Sequence, residues 1–168
     1  KPENASHTAY MWVYTNNEGV VFDYQSSREG IHAYRHLEDY SGYVQSDAYS
    51  GYDQLFQNTI DRIAVGCMAH ARRKFTDILK SLGKKKKNSH AEQIVKIIGK
   101  LYKIEAYCTE EQFTDDQRQQ YRQEHSEPIL KDLKTYLDNL CPKTPPQGLL
   151  GKAIAYSRNN WPQLTRYL

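Results

Sequence analysis

Cysteine is scarce in this chain: its 168 residues include only Cys67, Cys108 and Cys141, and no two of them form a C-x-x-C pair. An odd number of widely spaced cysteines disfavours a disulfide framework and a four-cysteine zinc site, and it fits a reducing cytoplasm. Long apolar runs are also absent, because none approaches the roughly 18–20 residues that span a bilayer. The opening KPENASHTAY has no apolar signal region and no initiator Met, so we expect a soluble piece of a longer protein, without a membrane partner.

Charge of one sign is not in large excess either. The chain has 23 Lys and Arg residues against 20 Asp and Glu residues, a formal net charge of +3. This balance permits a nucleic-acid partner without requiring one. The length suffices for one domain with a core of its own and an appendage.

The first part of the chain alternates between strand and helix patterns. YMWVYT (10–15) and GVVFDY (19–24) flank the turn-like NNEG and predict a β-hairpin. A helix is predicted from Ser27 to Gly42, a strand over YVQSD (43–47), a short helical segment over AYSGYDQLFQ, and a second strand over 60–68. This alternation predicts an α/β fold, a sheet covered by helices.

From residue 70 onward the pattern is helical alone. Apolar residues recur at helical spacing in HARRKFTDILKSL (70–82), from Ile94 to Cys108, and from Ile129 to Leu140. The lysine-rich GKKKKNS (83–89) and the proline-rich CPKTPPQG (141–148) predict exposed connections. The last stretch, from Leu149, predicts a helix that is interrupted at Pro162.

Asp47 is the first candidate functional residue. It lies at the carboxyl end of a predicted strand, the edge of an α/β sheet where ligands gather. The alternative is a helix cap for the segment that follows, since Asp is a favoured cap residue. Asp23 is the other strand carboxylate, and the two could share Mg²⁺ only if their strands were neighbours.

A second group of candidates lies in GCMAHARRKF (66–75), where a strand ends and a helix opens. Cys67 and His70 lack two further ligands for a zinc site. A small buried residue for Cys67 and a hydrogen bonder at the helix start for His70 are favoured over a ligand role. Arg72, Arg73 and Lys74 indicate either a solvated helix face or phosphate contact; cations at a helix start gain little locally, which favours a partner. The lysines at 84–87 are weaker candidates for DNA contact.

YMWVY, VVFDY followed by SR, GYVQSDAYSGY, GCMAHARRKF and LLGKAIAYSRNNW occur in this order. With these motifs the chain resembles the transposases of the insertion sequence 66 family, bacterial enzymes of the DDE class. The resemblance implies a ribonuclease-H-like core in which two aspartates and a glutamate hold two Mg²⁺ or Mn²⁺ ions for DNA cleavage and strand transfer. Asp47 matches the second aspartate, as a catalytic residue and metal ligand.

The remaining assignments follow from the residue patterns taken together with the resemblance. Arg72, Arg73 and Lys74 would contact DNA, Cys67 and His70 would support the active site, and the small residues after Asp47 would leave room for DNA. The partners would be transposon ends and target DNA, further copies of the protein and accessory proteins of the same element, in the bacterial cytoplasm at the nucleoid. A non-catalytic nucleic-acid-binding or interaction module with an α/β core is the alternative.

The expected organisation is a ribonuclease-H-like core portion (1–82), an all-helical insertion (83–147) and a helical segment that returns to the core (148–168). In the family the first aspartate precedes YMWVY and the glutamate follows NNWPQLTRYL, so we expect truncation at both ends and no activity of this piece by itself. In the fold's usual strand order Asp23 would lie roughly 14 Å from Asp47, too far to replace the first aspartate. The missing central strand leaves open edges, which we expect to be closed by non-native pairing, by a strand from the chain's own terminus or, as we favour, by a second copy.

Overall fold

The computed structural model describes residues 8–57 and 59–168, which divide into two compact units between Ala64 and Val65. The first unit opens with the predicted hairpin, which is confirmed. Strands β1 (Tyr10–Thr15) and β2 (Val20–Gln25) pair antiparallel, with Trp12 opposite Asp23. The side-chain oxygen of Asn16 accepts hydrogen bonds from the backbone N–H groups of Glu18 and Gly19, both at 2.9 Å, and so stabilises the turn.

Short elements follow the hairpin. They are α1 (Ile31–His36), β3 (Gly42–Ser46), α2 (Asp53–Phe56) and β4 (Arg62–Gly66). The helix predicted from Ser27 to Gly42 is therefore wrong in extent. It ends early because Arg62 Nη1 donates to the carbonyls of Leu37, at 3.2 Å, and Glu38, at 2.8 Å, which satisfies groups that a longer helix would have bonded itself.

The described strands form two separate two-stranded sheets, β1–β2 and β3–β4. Trp12, Ala33 and Leu55 are the buried centre of the first unit, and partly buried Tyr and Phe side chains surround them. The mixed α/β composition is as predicted. Closure of the open edges by a second copy stays a prediction, and a terminal strand would draw on residues 1–7, which lie outside the described residues.

Beyond β4 the second unit is helical. Its elements are α3 (Met68–Leu82), α4 (His90–Glu110), α5 (Asp115–Tyr121), α6 (Glu127–Leu140), α7 (Leu149–Asn159) and α8 (Trp161–Thr165). The absence of strands between residues 90 and 140, all of them described, confirms the helical prediction. Helices α3, α4, α6 and α7 share one core, whose largest fully buried side chains are Phe75, Ile94, Ile98, Leu133, Leu137 and Ile154.

Helix α5 was not predicted, because it buries none of its residues and so has no apolar stripe. Its start is nevertheless encoded: Thr114 and Gln117 form a capping box, in which each side chain bonds the other residue's backbone N–H. Arg118 and, in the π-helical turn that follows, Arg122 then pair with Glu105 of α4 at 3.2 and 2.7 Å.

The carboxyl-terminal prediction is wrong in one detail. The helix is interrupted at Asn160, between α7 and α8, and Pro162 lies in the first turn of α8. Proline is tolerated there because its missing N–H would have had no helical partner. The division into a core portion (1–82), an insertion (83–147) and a returning segment (148–168) remains a proposal, and α3 packs with α4 and α7 in the helical unit.

Candidate functional site

Asp47 directly follows β3 and is half-buried. Its Oδ1 accepts a hydrogen bond from the backbone N–H of Tyr49 at 3.1 Å, while Ala48 between them adopts a left-handed conformation with φ of 61°. The carboxylate thus organises a tight turn, which is the local role that Asp commonly has. A non-glycine residue at positive φ is also the kind of strained conformation that clusters at functional sites.

Aromatic and cationic groups surround this turn. The Arg28 guanidinium lies over the Tyr49 ring at 4.4 Å, and the Tyr49 hydroxyl donates to the Arg28 carbonyl at 2.9 Å. Burial and the neighbouring Asp47 carboxylate raise the pKa of Tyr52, and Arg28 opposes that rise. Tyr52 therefore senses both the Asp47 carboxylate and the Arg28 guanidinium, and neither Tyr52 nor Arg28 was assigned to the site from the sequence.

Packing explains part of the small-residue pattern after Asp47. A Cβ on Gly51 would overlap the Tyr49 ring, and one on Gly30 would overlap the Gly51 carbonyl. The two glycines therefore allow the start of α1 to lie against the segment that precedes α2. Room for DNA is not needed to account for Gly51.

The carboxylates of the described residues do not converge. No group of three His, Cys, Asp or Glu residues that could hold a metal ion occurs among residues 8–57 and 59–168. Both oxygens of Asp23 accept from Gln25 Nε2 at 2.9 Å. A pair of divalent metal ions therefore does not fit the described residues by themselves.

Cys67 and His70 lie at the start of α3 in the second unit. Cys67 is the half-buried N-cap residue, and its carbonyl accepts from the His70 backbone N–H at 3.1 Å. His70 Nδ1 is buried and has no hydrogen-bond partner within the described part of the chain. Burial, with Cys67 as a further cause, raises the pKa of Tyr102, and Arg72 opposes that effect.

The three adjacent cations differ in their surroundings. The Arg72 guanidinium lies over the Tyr102 ring at 5.8 Å, and Lys74 Nζ lies over the Tyr156 ring at 4.3 Å. Arg73 is exposed and makes no side-chain contact of this kind with any described residue. Arg73 is thus the cation of the triplet that is most available to an external phosphate.

Comparison with known protein families shows which family the chain belongs to. The whole chain, residues 1–168, matches the transposase IS66 family. The chain belongs to this family. The resemblance inferred from five ordered motifs is confirmed.

Relatives among curated proteins come from Sinorhizobium fredii (strain NBRC 101917 / NGR234). The uncharacterized protein y4jD is 33% identical over 154 residues, covering 89% of this chain and 29% of the relative. The uncharacterized protein y4hP is 28% identical over 150 residues, covering 77% of this chain and 27% of the relative. The IS66-family chain thus spans less than a third of the length of either relative.

No solved structure matches the chain significantly. None of the helices among the described residues of this IS66-family chain is long and apolar enough to cross a membrane.

Proposed function

We propose that this IS66-family chain forms part of the catalytic domain of a bacterial DNA transposase, an enzyme of the DDE class that cleaves DNA and transfers strands. The observation that carries the proposal is the family match over all 168 residues. The proposed architecture is a ribonuclease-H-like core with an all-helical insertion, and the mixed α/β first unit followed by a helical second unit supports it.

Within that function Asp47 is the proposed catalytic carboxylate and metal ligand. Its position after β3, its half-buried carboxylate and the strained residue beside it support the assignment. Enzymes of this class use two Mg²⁺ or Mn²⁺ ions to assist phosphodiester attack. Since Asp47 would contribute one carboxylate, we propose that this chain is inactive by itself and that the other metal ligands lie outside the described residues.

The proposed partners are the transposon ends, the target DNA, further copies of the protein and accessory proteins of the same element, in the bacterial cytoplasm at the nucleoid. Arg72, Arg73 and Lys74 are the proposed DNA contacts. Cys67 and His70 at the start of α3 are proposed to support the active site, and the unpartnered His70 Nδ1 is the observation in favour.

A non-catalytic nucleic-acid-binding module is the second candidate. It is favoured by the Asp47–Tyr49 hydrogen bond, which gives the carboxylate a structural role, and by the lack of a metal-ligand cluster among the described residues. In this case the Asp47 carboxylate would only hold the turn.

Strand joining distinguishes the two candidates. A protein of the relatives' length that carries this sequence would be incubated with DNA that bears the element's ends, a target plasmid and Mg²⁺ or Mn²⁺. A transposase yields cleaved ends and products joined to the target, whereas a binding module shifts the DNA in a gel and leaves every strand intact. Intact strands with both metals would overturn the transposase proposal.

A further inference from the structure

Positive charge is concentrated in one part of the sequence. Residues 70–103 contain eleven of the 23 Lys and Arg residues but only two of the 20 Asp and Glu residues. The other 12 cations are outnumbered by 18 acidic residues elsewhere in the chain. The basic stretch corresponds to α3, the connection after it and the first two thirds of α4, an arrangement termed here the basic helical hairpin.

Ion pairing accentuates this asymmetry. Many cations outside the basic helical hairpin are neutralised within the protein: Arg118 and Arg122 by Glu105, Lys131 by Glu127, and Lys134 and Arg158 by Asp138. Within the basic helical hairpin, by contrast, six cations are exposed and have no acidic partner among the described residues. They are Arg73, Lys84, Lys85, Lys87, Lys100 and Lys103.

Helix geometry aligns these charges. Lys96, Lys100 and Lys103 recur at i, i+4 and i+7, which places them on one face of α4, while Ile94 and Ile98 of the same helix are buried in the core. The lysine-rich connection immediately precedes α4. From the first residue of α4 to Lys103 the axis rises about 20 Å, so the basic face is long enough to meet several phosphates.

Helix α3 brings Arg73 to the far end of this face. Arg72 lies over the ring of Tyr102, and Tyr102 lies between Lys100 and Lys103 in the sequence. The contact shows which parts of the two helices are adjacent, and the helices pack against each other. Arg73 is therefore at the same end of the basic helical hairpin as Lys103.

We propose that the basic helical hairpin binds the phosphate backbone of duplex DNA through Lys84, Lys85, Lys87, Lys100 and Lys103, together with Arg73. The inference rests on the proposed function in that DNA is the partner. It adds Lys100 and Lys103 of α4 to Arg73 and the lysines at 84–87, which the sequence alone already marks as candidates for DNA contact, and joins them in one surface. Lysine is depleted in the centres of protein interfaces, which disfavours an acidic protein as the partner. Lysines act as point charges on phosphates, so the contact positions DNA without reading its sequence.

Salt dependence of DNA binding tests the proposal. Fluorescence anisotropy with labelled duplexes of two unrelated sequences would be followed over a range of NaCl concentrations for this chain. Each phosphate contact contributes about 0.9 to the slope of log K against log salt. Lys100→Gln with Lys103→Gln should lower the slope by about 1.8 on that basis, and Lys84→Gln, Lys85→Gln and Lys87→Gln by about 2.7, equally for both duplexes.

The matched control removes the same charge elsewhere. Lys131→Gln with Lys152→Gln changes two exposed lysines on α6 and α7, and its slope should equal that of the wild type. If the Lys131/Lys152 variant lost as much salt slope as the Lys100/Lys103 variant, the effect would come from net charge alone, and the inference would be overturned. Failure of the wild type to bind duplex DNA would overturn it as well and would leave an acidic protein as the partner to test.

Strand joining and the salt slope together distinguish a failure of the proposed function from a failure of this inference. If the chain came from a non-catalytic module, the slopes would change as expected, while the longer protein would join no strands. If only the basic surface is misassigned, the longer protein would join strands, and replacing these lysines would leave the salt slope of DNA binding unchanged.

Discussion

The backbone N–H of Tyr49 donates to Asp47 Oδ1 at 3.1 Å, so the candidate catalytic carboxylate also forms the turn that follows its strand. An amide oxygen can accept the same hydrogen bond, whereas alanine cannot. Asp47→Asn should therefore change the free energy of unfolding by less than about 0.5 kcal/mol, while Asp47→Ala should lower it by about 1 kcal/mol. Urea denaturation of this chain measures both. Equal losses would mean that the turn does not depend on this oxygen.

Close approach of two glycines supports the first unit. A Cβ on Gly30 would overlap the carbonyl of Gly51, so Gly30→Ala should lower the free energy of unfolding by about 1–3 kcal/mol. Gly19→Ala is the control, because no atom lies within 4 Å of a Cβ at that position. Its effect should stay within about 0.5 kcal/mol. A tolerated Gly30→Ala would show that α1 can shift without cost.

Tyr14 introduces alkaline sensitivity. Burial, with Asp23 and Tyr52 as further causes, raises its pKa to about 12, and its hydroxyl is buried with no hydrogen-bond partner among the described residues. Because the pKa of Tyr14 is raised in the folded state, the folded protein favours the neutral phenol. Its contribution to the free energy of unfolding is complete below pH 10 and is lost as the pH rises toward 12. Tyr14→Phe should flatten this alkaline loss and leave stability at neutral pH unchanged or up to about 1 kcal/mol higher.

The control for Tyr14 is Tyr24→Phe on β2, since Tyr24 is 69% exposed. Denaturation at a series of pH values from neutral to 12 should give Tyr24→Phe the wild-type profile. If Tyr14→Phe kept the wild-type profile too, the alkaline loss would have another origin.

Arg122 connects three elements of the helical unit. Its Nε and Nη2 bond both oxygens of Glu105 at 2.8 and 2.7 Å, and its Nη1 donates to the Tyr167 carbonyl at 2.8 Å. Burial alone would raise the pKa of Glu105, but the hydrogen bonds and charges of Arg122 and Arg118 outweigh it and hold that pKa below its usual value. Arg122→Met should therefore lower the free energy of unfolding by about 1.5–3 kcal/mol at neutral pH.

The free energy of unfolding measured at acidic pH checks this interpretation. Because the pKa of Glu105 is lowered in the folded state, the stabilisation by its carboxylate is present above pH 4.5 and is lost as the pH falls through the folded-state value. The gap in unfolding free energy between the variant and the wild type should therefore narrow there. Lys131→Met removes an exposed pair with Glu127 and should cost less than about 0.5 kcal/mol. A gap between Arg122→Met and the wild type that does not narrow in acid would contradict the role of Glu105.

Local patterns in the sequence predicted most elements. Helix α4 was predictable because Ile94, Ile98 and Leu101 mark its buried face, and the end of β3 because a β-branched and aromatic run stops at Asp47. Helix α5 was missed because it has no buried face, although Thr114 marks its start.

Contacts between distant residues could not be inferred from periodicity. Arg62 ends α1 from 24 and 25 residues away, and the Tyr49 hydroxyl bonds the Arg28 carbonyl across 21 residues. Such contacts depend on the tertiary fold, which is why the surroundings of Asp47 appear only in the structure. The position of Asp47 itself was predicted from the sequence, because the end of a strand is a local feature.

DNA strand cleavage by Asp47→Asn tests the proposed catalytic role most directly. The variant would be made in a protein of the relatives' length and compared with Asp53→Asn, which removes an exposed carboxylate six residues further on. Duplex binding would be measured in parallel, so that a loss of cleavage is not confused with a loss of affinity. We predict that Asp47→Asn binds DNA normally but cleaves none, in Mg²⁺ or Mn²⁺, and that Asp53→Asn cleaves like the wild type. Near-normal cleavage by Asp47→Asn would contradict the assignment of Asp47 to catalysis.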